Sequence, residues 1–535
     1  MRKYIFIFLI FFSATKCAAQ AGQWVWLLGD SVTNNFGNFG IQGVPDSANN
    51  PPSLYEACEW TDHNGNFWLY GGTNLHATYS DLWKYDPATN EWTWMKGPGT
   101  GYYGSHYGVQ GISSPTNNPP SSSYGVNSWV DLNGDLWLFG GGGGTAPGLC
   151  ADLWKYTIAT NEWTWMKGPG TQNYPGSYGS KGISSAGNNP PAREETSASW
   201  TDDAGNFWLF GGHSISVQIH EYNDMWKFDP TTNEWTWMKG SSIPNQPSVY
   251  GIRGIEDSVN TPGARWIYPR WKDNDGNLWC FGGSEDWSTN SAKNDLWRFN
   301  PQTANWTWID GDSGAYNAGV NGTICLMSDV NIPTLAVECR AAWVDSHDNF
   351  WGYLYGYGIY NSLWKFCRKS REWAIINADS TGISRGKWGT KGVASPTNIP
   401  PFLQGSIAWT DGNDHLYMFG GICNNGLWSN ALWMYTIDST CGVCRTDVEV
   451  AEISDRKSGF VIFPNPNDGT FTICLADQTT LDNFEIDIYN MLGEKVHSEI
   501  LCDNHQTIDY KLNSGIYFVS LITAEKQLTQ KLIVE

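Results

Sequence analysis

Charge is scarce in this sequence, and positive charge is scarcest. Charged residues make up 16% of 535, with 32 Lys and Arg against 53 Asp and Glu, for a net charge of −21. An acidic surface repels phosphate backbones, so nucleic acid is not an expected partner. Low charge together with 32 Trp and 59 Gly excludes a disordered or collagen-like chain. After residue 12 no stretch is long and apolar enough to cross a membrane, so no transmembrane segment is expected in the mature chain. There is no serine nucleophile elbow, no His-Glu-x-x-His and no phosphate-binding Gly loop. The five glycines at 140–144 have no adjacent helix and carry no phosphate role. No cofactor is expected, and nothing in the sequence establishes an enzyme.

What is present begins with MRKYIFIFLIFFSATKCAAQ. Arg2 and Lys3 precede a nine-residue apolar run, Tyr4 to Phe12, and Cys17-Ala18-Ala19 is a small-residue cleavage site. This pattern reads as a secretory signal peptide over 1–19, with Gln20 the first mature residue. A lipoprotein role for Cys17 is the alternative, which Lys16 fits poorly. Removing Cys17 leaves eleven cysteines, so at least one thiol stays unpaired. Cys441 and Cys444 form a CxxC without a second CxxC or His pair nearby, which points to a local disulfide or two free thiols before zinc. Cys325 and Cys339 share one long loop and could also pair.

The phrase TNEWTWMKG occurs three times, at 89–97, 160–168 and 232–240. A repeat this long, with alternating Trp-Thr-Trp, marks a multi-strand unit. Each unit has four pieces. The first ends in Trp-x-Asp (59–62, 128–131, 199–202, 270–273, 342–345, 408–411). The second is aromatic and ends in Gly-Gly, as in NFWLYGG at 66–72, except at Gly356-Tyr357 in the fifth unit. The third resembles DLWKY (81–85, 152–156, 224–228, 295–299, 362–366, 431–435). The fourth is the Trp-Thr-Trp phrase, weakening to Trp373-Ala374-Ile375. Asn-Gly turns join pieces one and two, and short TNE-type turns join three and four, so each unit is a four-stranded antiparallel meander.

Six units contain five fourth strands. The sixth lacks one, while an extra, Trp24 to Leu28, precedes the first unit. The count closes only if this segment pairs with 431–435, which removes the exposed edge of an open array.

This succession of landmarks over residues 24–440 resembles the kelch repeat family, to which the central propeller of galactose oxidase belongs. The resemblance implies an all-β chain whose residues 20–445 form a six-bladed kelch-type β-propeller closed by the N-terminal strand, with a distorted fifth blade. The Trp residues would fill the space between blades. The copper ligands of galactose oxidase match no motif here, although His76, His106, His213, His220 and Cys150 are present, so none is carried over.

Residues 446–459 read as a polar linker. Beyond them, alternating runs at 460–473, 484–496, 512–522 and 531–535 indicate a small immunoglobulin-like β-sandwich over 460–535. Pro464, Asn465, Pro466, Gly469, Asn490, Gly493, Gly515, Tyr517 and Lys531 fall where the C-terminal sorting domain of the type IX secretion system of Bacteroidetes has its landmarks. That resemblance implies the type IX machinery as a partner, passage through the outer membrane, and a secreted or outer cell surface location.

Short turns occupy one end of such a ring. Long, varied loops occupy the other, between second and third strands (73–80, 142–151, 213–223, 284–294, 358–361, 422–430) and from unit to unit. Binding concentrates on variable loops of a rigid scaffold. The residues expected there are Tyr103, His106, Tyr107, Arg193, His213, His220, Tyr222, Trp266, Tyr268, Arg270 and Trp287. Aromatic rings with a few polar groups suit an unknown glycan or a protein ligand; the alternative is that these side chains pack the loops onto the ring. Calcium at turns such as 202–206 and 273–277 is a further reading, against which stands the lack of a bidentate Glu at calcium-loop spacing. The rival functions are a glycan-active secreted enzyme and a purely structural or adhesion protein.

Overall fold

The computed structural model describes residues 21–444 and 460–534, apart from short stretches at 102–103, 123, 143–147, 196–197, 215–218, 267, 286–290, 315–318, 335–337, 357–358, 380–385, 424–425, 464–469, 476–483, 502–504, 511 and 523–526. The expected signal peptide and linker therefore lie outside the described residues. All the described elements are β-strands, and the chain divides into two compact units between Arg445 and Thr446.

The first unit holds six antiparallel sheets of four or five strands. In the first repeat these are Cys58–Thr61, Phe67–Tyr70, Leu82–Asp86 and Glu91–Lys96, hydrogen-bonded in chain order. The Trp-x-Asp landmark explains the first hairpin. Asp62 Oδ1 accepts the backbone N–H of Asn64 and of Asn66, both at 2.9 Å, and Oδ2 accepts the Trp68 indole at 2.8 Å. Asp131, Asp202, Asp273 and Asp345 hold Trp137, Trp208, Trp279 and Trp351 in the same way. In the sixth repeat the Tyr417 hydroxyl stands in for the indole, 3.3 Å from Asp411.

The sixth sheet takes its last strand from the start of the chain. Trp24–Leu28 runs antiparallel to Leu432–Thr436, with Trp24 opposite Tyr435 and Trp26 opposite Trp433. The six first strands touch in sequence order, and the sixth (Ile407–Thr410) touches the first (Cys58–Thr61). Six apolar cores lie between consecutive sheets, including sixth to first. The first Trp of each Trp-Thr-Trp phrase (Trp92, Trp163, Trp235, Trp306) is fully buried there, and Trp373 holds the place in repeat five. Burying an aromatic of that size stabilises by about 4–6 kcal/mol before ordering entropy is subtracted. The second Trp of the phrase is half-buried against the connector that leads into its own repeat, as Trp165 is against Tyr107.

The sheets of repeats four and five depart from the expected lengths. Leu278–Ser284 and Ala292–Asn300 extend into the long loop of repeat four, and Phe350–Gly356 with Ile359–Cys367 leave almost no loop in repeat five. The cysteine pairing also differs from a local one. Cys441 bonds Cys325 and Cys444 bonds Cys367, while Cys339 is buried and takes part in neither bond. The CxxC is a two-pronged clasp that fastens the end of the first unit to repeat five.

The second unit has a three-stranded sheet (Phe460–Phe463, Thr470–Leu475, His505–Asp509) and a four-stranded one (Phe484–Asn490, Lys495–Leu501, Gly515–Ile522, Gln527–Val534), which share one apolar core.

Candidate functional site

Several residues expected to bind a ligand make contacts within the scaffold. Arg193 is fully buried, bonded through Nη1 and Nη2 to Asp224 at 2.7 and 2.8 Å and stacked over Tyr222. The Tyr107 hydroxyl donates to Asp152 at 2.8 Å, and its ring packs on Trp154 and Trp165. Tyr178 and Tyr250 repeat this contact with Asp224 and Asp295. Tyr268 is buried and donates to the Phe210 carbonyl. Trp266 is buried edge-on to His213. His106 is exposed and His220 half-buried, in different repeats. Tyr103 and Trp287 lie outside the described residues.

The long-loop end of the ring nevertheless carries a charged cluster that the sequence reading missed. Just ahead of the first strands the backbone turns through positive φ at Glu56 (51°), Gly125 (30°), Glu195 (51°), Glu338 (54°) and Gly405 (61°). These turns are tied to one another: Glu56 N–H donates to the Gly405 carbonyl at 3.0 Å, and Gly405 N–H to the Glu338 carbonyl at 2.9 Å. Glycine is the natural residue for that conformation, so three glutamates there hold about 1–3 kcal/mol of strain each. A Cβ at Gly125 would lie 2.7 Å from Arg340 Nη1 and 3.3 Å from Glu56 Oε2, so the missing side chain makes room for both.

The electrostatics are unusual. Glu56 has no solvent exposure, and among the described residues neither carboxyl oxygen has a partner of hydrogen-bonding geometry. Burial pushes its carboxyl up to about 8, against the opposing pull of Arg340. Glu194 is likewise pushed up to about 8 by burial. Burial and then the neighbouring Glu56 and Glu194 raise Glu195 well above the usual carboxylate range, and burial raises Glu338. His213 is lowered to about 3 by burial, with Nδ1 3.1 Å from Glu195 Oε2. Arg340 is buried and gives Nη2 to Glu59 at 3.0 Å, leaving Nε and Nη1 without partners among the described residues. Arg270 reaches the other oxygen of Glu59 from the fourth repeat at 3.1 Å. Buried titratable groups with strongly shifted acidity and unsatisfied polar atoms mark functional sites more often than scaffolding.

No three acidic, His or Cys side chains converge as a metal centre among the described residues. The turn carboxylates weighed for calcium are already bonded: Asp202 Oδ1 to the N–H of Ala204 and Asn206, and Asp273 Oδ1 to those of Asp275 and Asn277. The one signal that could have disclosed the cluster is charge placed three to six residues ahead of the first-strand Trp, in a chain where charge is rare.

Residues 461–535 match the family model of the secretion system C-terminal sorting domain. The protein is exported, sorted by type IX secretion, and secreted or attached at the outer surface. No curated protein matches the chain. Of the sorting landmarks, Asn490 Oδ1 accepts the N–H of Leu492 and Glu494 in a turn that Gly493 completes at φ +81°. Gly515 opens a strand that carries Tyr517, whose hydroxyl donates to the Asn513 carbonyl, and Lys531 is exposed on the last strand. Pro464, Asn465, Pro466 and Gly469 lie outside the described residues. Among the described residues no helix is long and apolar enough to cross a membrane.

Proposed function

We propose that residues 20–445 are a six-bladed kelch-type β-propeller, closed by its N-terminal strand, that binds a carbohydrate or protein partner through its long-loop face after export. Residues 1–19 are its signal peptide, 446–459 a linker and 460–535 an immunoglobulin-like sorting sandwich. The cyclic contacts of the first strands support the ring. The observation that carries the binding reading is the cluster at the centre of the long-loop end, where buried Glu56 and Arg340 keep unpartnered acceptors and donors. Sugar hydroxyls, which both donate and accept, suit such a pair, and Tyr124 and Tyr55 stand edge to face beside it.

The mature full-length protein on a glycan array tests this. Hits within one saccharide family, lost in Tyr124→Ala and Glu56→Gln, are expected. A blank array from folded protein sinks the carbohydrate reading and leaves a protein partner. A glycan-active enzyme is the second reading. Carboxyls pushed up to about 8 at Glu56 and Glu194 are suited to general-acid work near neutral pH. Product release from any array hit, abolished in Glu56→Gln, favours that reading over simple binding.

A further inference from the structure

The opposite end of the axis holds a cavity with different chemistry. Alternation along the first strands turns the residues on either side of the central Trp into the space that the six strands enclose. At the short-turn end this makes a cavity of about 410 Å³ whose polar wall is Thr61, Ser199, Thr201, Arg270, Lys272 and Thr410. No carboxylate lines it. A smaller cavity of about 220 Å³ shares Thr61 and Arg270 with it and extends to Glu59 and Arg340. In a chain of net charge −21, a chamber walled by hydroxyls, one Lys and one Arg is a local reversal of sign.

Arg270 is held in a way that leaves part of it to spare. Nε donates to the Ser199 carbonyl at 2.9 Å, and Nη2 to Glu59 at 3.1 Å. Nη1 makes no hydrogen bond among the described residues, and the side chain keeps 17% exposure. Lys272, at the mouth, is anchored to the Thr201 carbonyl at 3.0 Å and to Asp203 at 2.7 Å. The Thr61 and Thr410 side chains carry hydroxyls onto the same wall. Glu59 and Asp203 each hold one side of these cations, yet the donors left over select a group rich in acceptor oxygens, and charge-assisted bonds from Arg and Lys favour a negative one.

We infer that the short-turn mouth of the channel binds an oxyanion (carboxylate, sulfate or phosphate), seated between Arg270 Nη1 and Lys272 and hydrogen-bonded by Thr61 and Thr410. The site is separate from the long-loop cluster and stands whether or not that cluster binds a glycan. Binding weakens as salt rises, because the mouth is open to screening.

Isothermal titration of the full chain with sodium sulfate, inorganic phosphate, glucuronate and glucose, at constant low ionic strength, tests it. One-to-one binding of at least one oxyanion is expected, with glucose silent. Sulfate or phosphate without glucuronate identifies a free inorganic ion, and glucuronate alone identifies a sugar acid. Lys272→Met and Thr410→Val sit at the mouth and leave the Arg270–Glu59 bond in place; each is expected to weaken binding, at least tenfold for Lys272→Met. No oxyanion binding, equal binding of glucose, or affinity unchanged in both variants overturns the inference. Should Arg270→Gln fail to fold, the two mouth variants still decide it.

Discussion

Asn398 donates its side-chain amide to the carbonyl of Trp24 at 2.9 Å, across 374 residues of chain. Every other repeat makes the same bond within itself: Asn49 to Trp92, Asn117 to Trp163, Asn188 to Trp235, Asn260 to Trp306 and Asn331 to Trp373, at 2.9–3.2 Å. Trp24 thus occupies the place that a repeat's own outer strand fills elsewhere. The residue after its strand agrees: Gly29 takes the Lys391 ammonium on its carbonyl, as Gly240 takes that of Lys181.

Asn398→Ala strips the buried carbonyl of Trp24, and the more exposed one of Val393, of their donor. A loss of about 1–3 kcal/mol is expected for the buried group. Urea unfolding should show Asn117→Ala costing a similar amount, since its bonds are the same. Removing residues 21–29 exposes the edge of the sixth sheet, and light scattering should report self-association.

The paired disulfides link residues 116 and 77 positions apart. Loops of that length predict up to about 4–5 kcal/mol each from restriction of the unfolded chain. Cys441→Ser with Cys444→Ser should lower the melting temperature of oxidised protein to that of reduced wild type. Non-reducing peptide mapping should recover Cys325–Cys441 and Cys367–Cys444, not Cys441–Cys444.

Glu56, Glu194 and Glu195 hold protons in the folded state at pH values where the unfolded chain has released them. Their contribution is complete below about pH 4.5 and lost as pH rises towards 8. His213 acts in the opposite sense, because burial lowers its pKa and keeping it neutral costs stability as pH falls below about 6.5. Between pH 6.5 and 8 the glutamates act alone among these four groups, so stability should fall over that range. Arg340 faces the same cluster, opposes the upward shift of Glu56 and Glu195 and moderates the slope, while Glu338, itself raised by burial, adds to it. Glu56→Gln removes one linked proton, and its advantage over wild type in denaturant midpoint should grow from pH 6.5 to 8.

Arg193→Met leaves Asp224 charged and buried without its guanidinium. A loss of about 3–5 kcal/mol is expected. Arg193→Met with Asp224→Asn should recover a large part of it. A ligand-binding role for Arg193 would instead leave the melting curve unchanged in the single variant.

The repeat was legible because its landmarks are local. Asp caps its own hairpin, Asn90, Asn161 and Asn233 adopt positive φ in the TNE turns, and one strand too few in the sixth repeat required Trp24–Leu28. The charged cluster was not, because Glu56, Glu195, Glu338 and Arg340 come from three repeats and meet only when the sheets are arranged in space. The disulfides were misread for a related reason. Cys325 stands at φ 66° in a connector turn where Gly43, Gly111, Gly182, Gly254 and Gly392 stand in the other repeats, and its Cα lies 4.6 Å from that of Cys441. A cysteine replacing a repeat glycine was the available clue. Arg193 and Tyr107 looked like binding residues because polar aromatic loops and loop anchors share a composition.

The Asn398–Trp24 contact also bears on how such a gene can change. Closure depends on the first strand and the last repeat alone, and each intervening repeat carries its own Asn–Trp tie. A duplication or loss of one such segment in the middle therefore leaves every partner at the seam intact. Copy number can change in this way without a second, compensating mutation at the join.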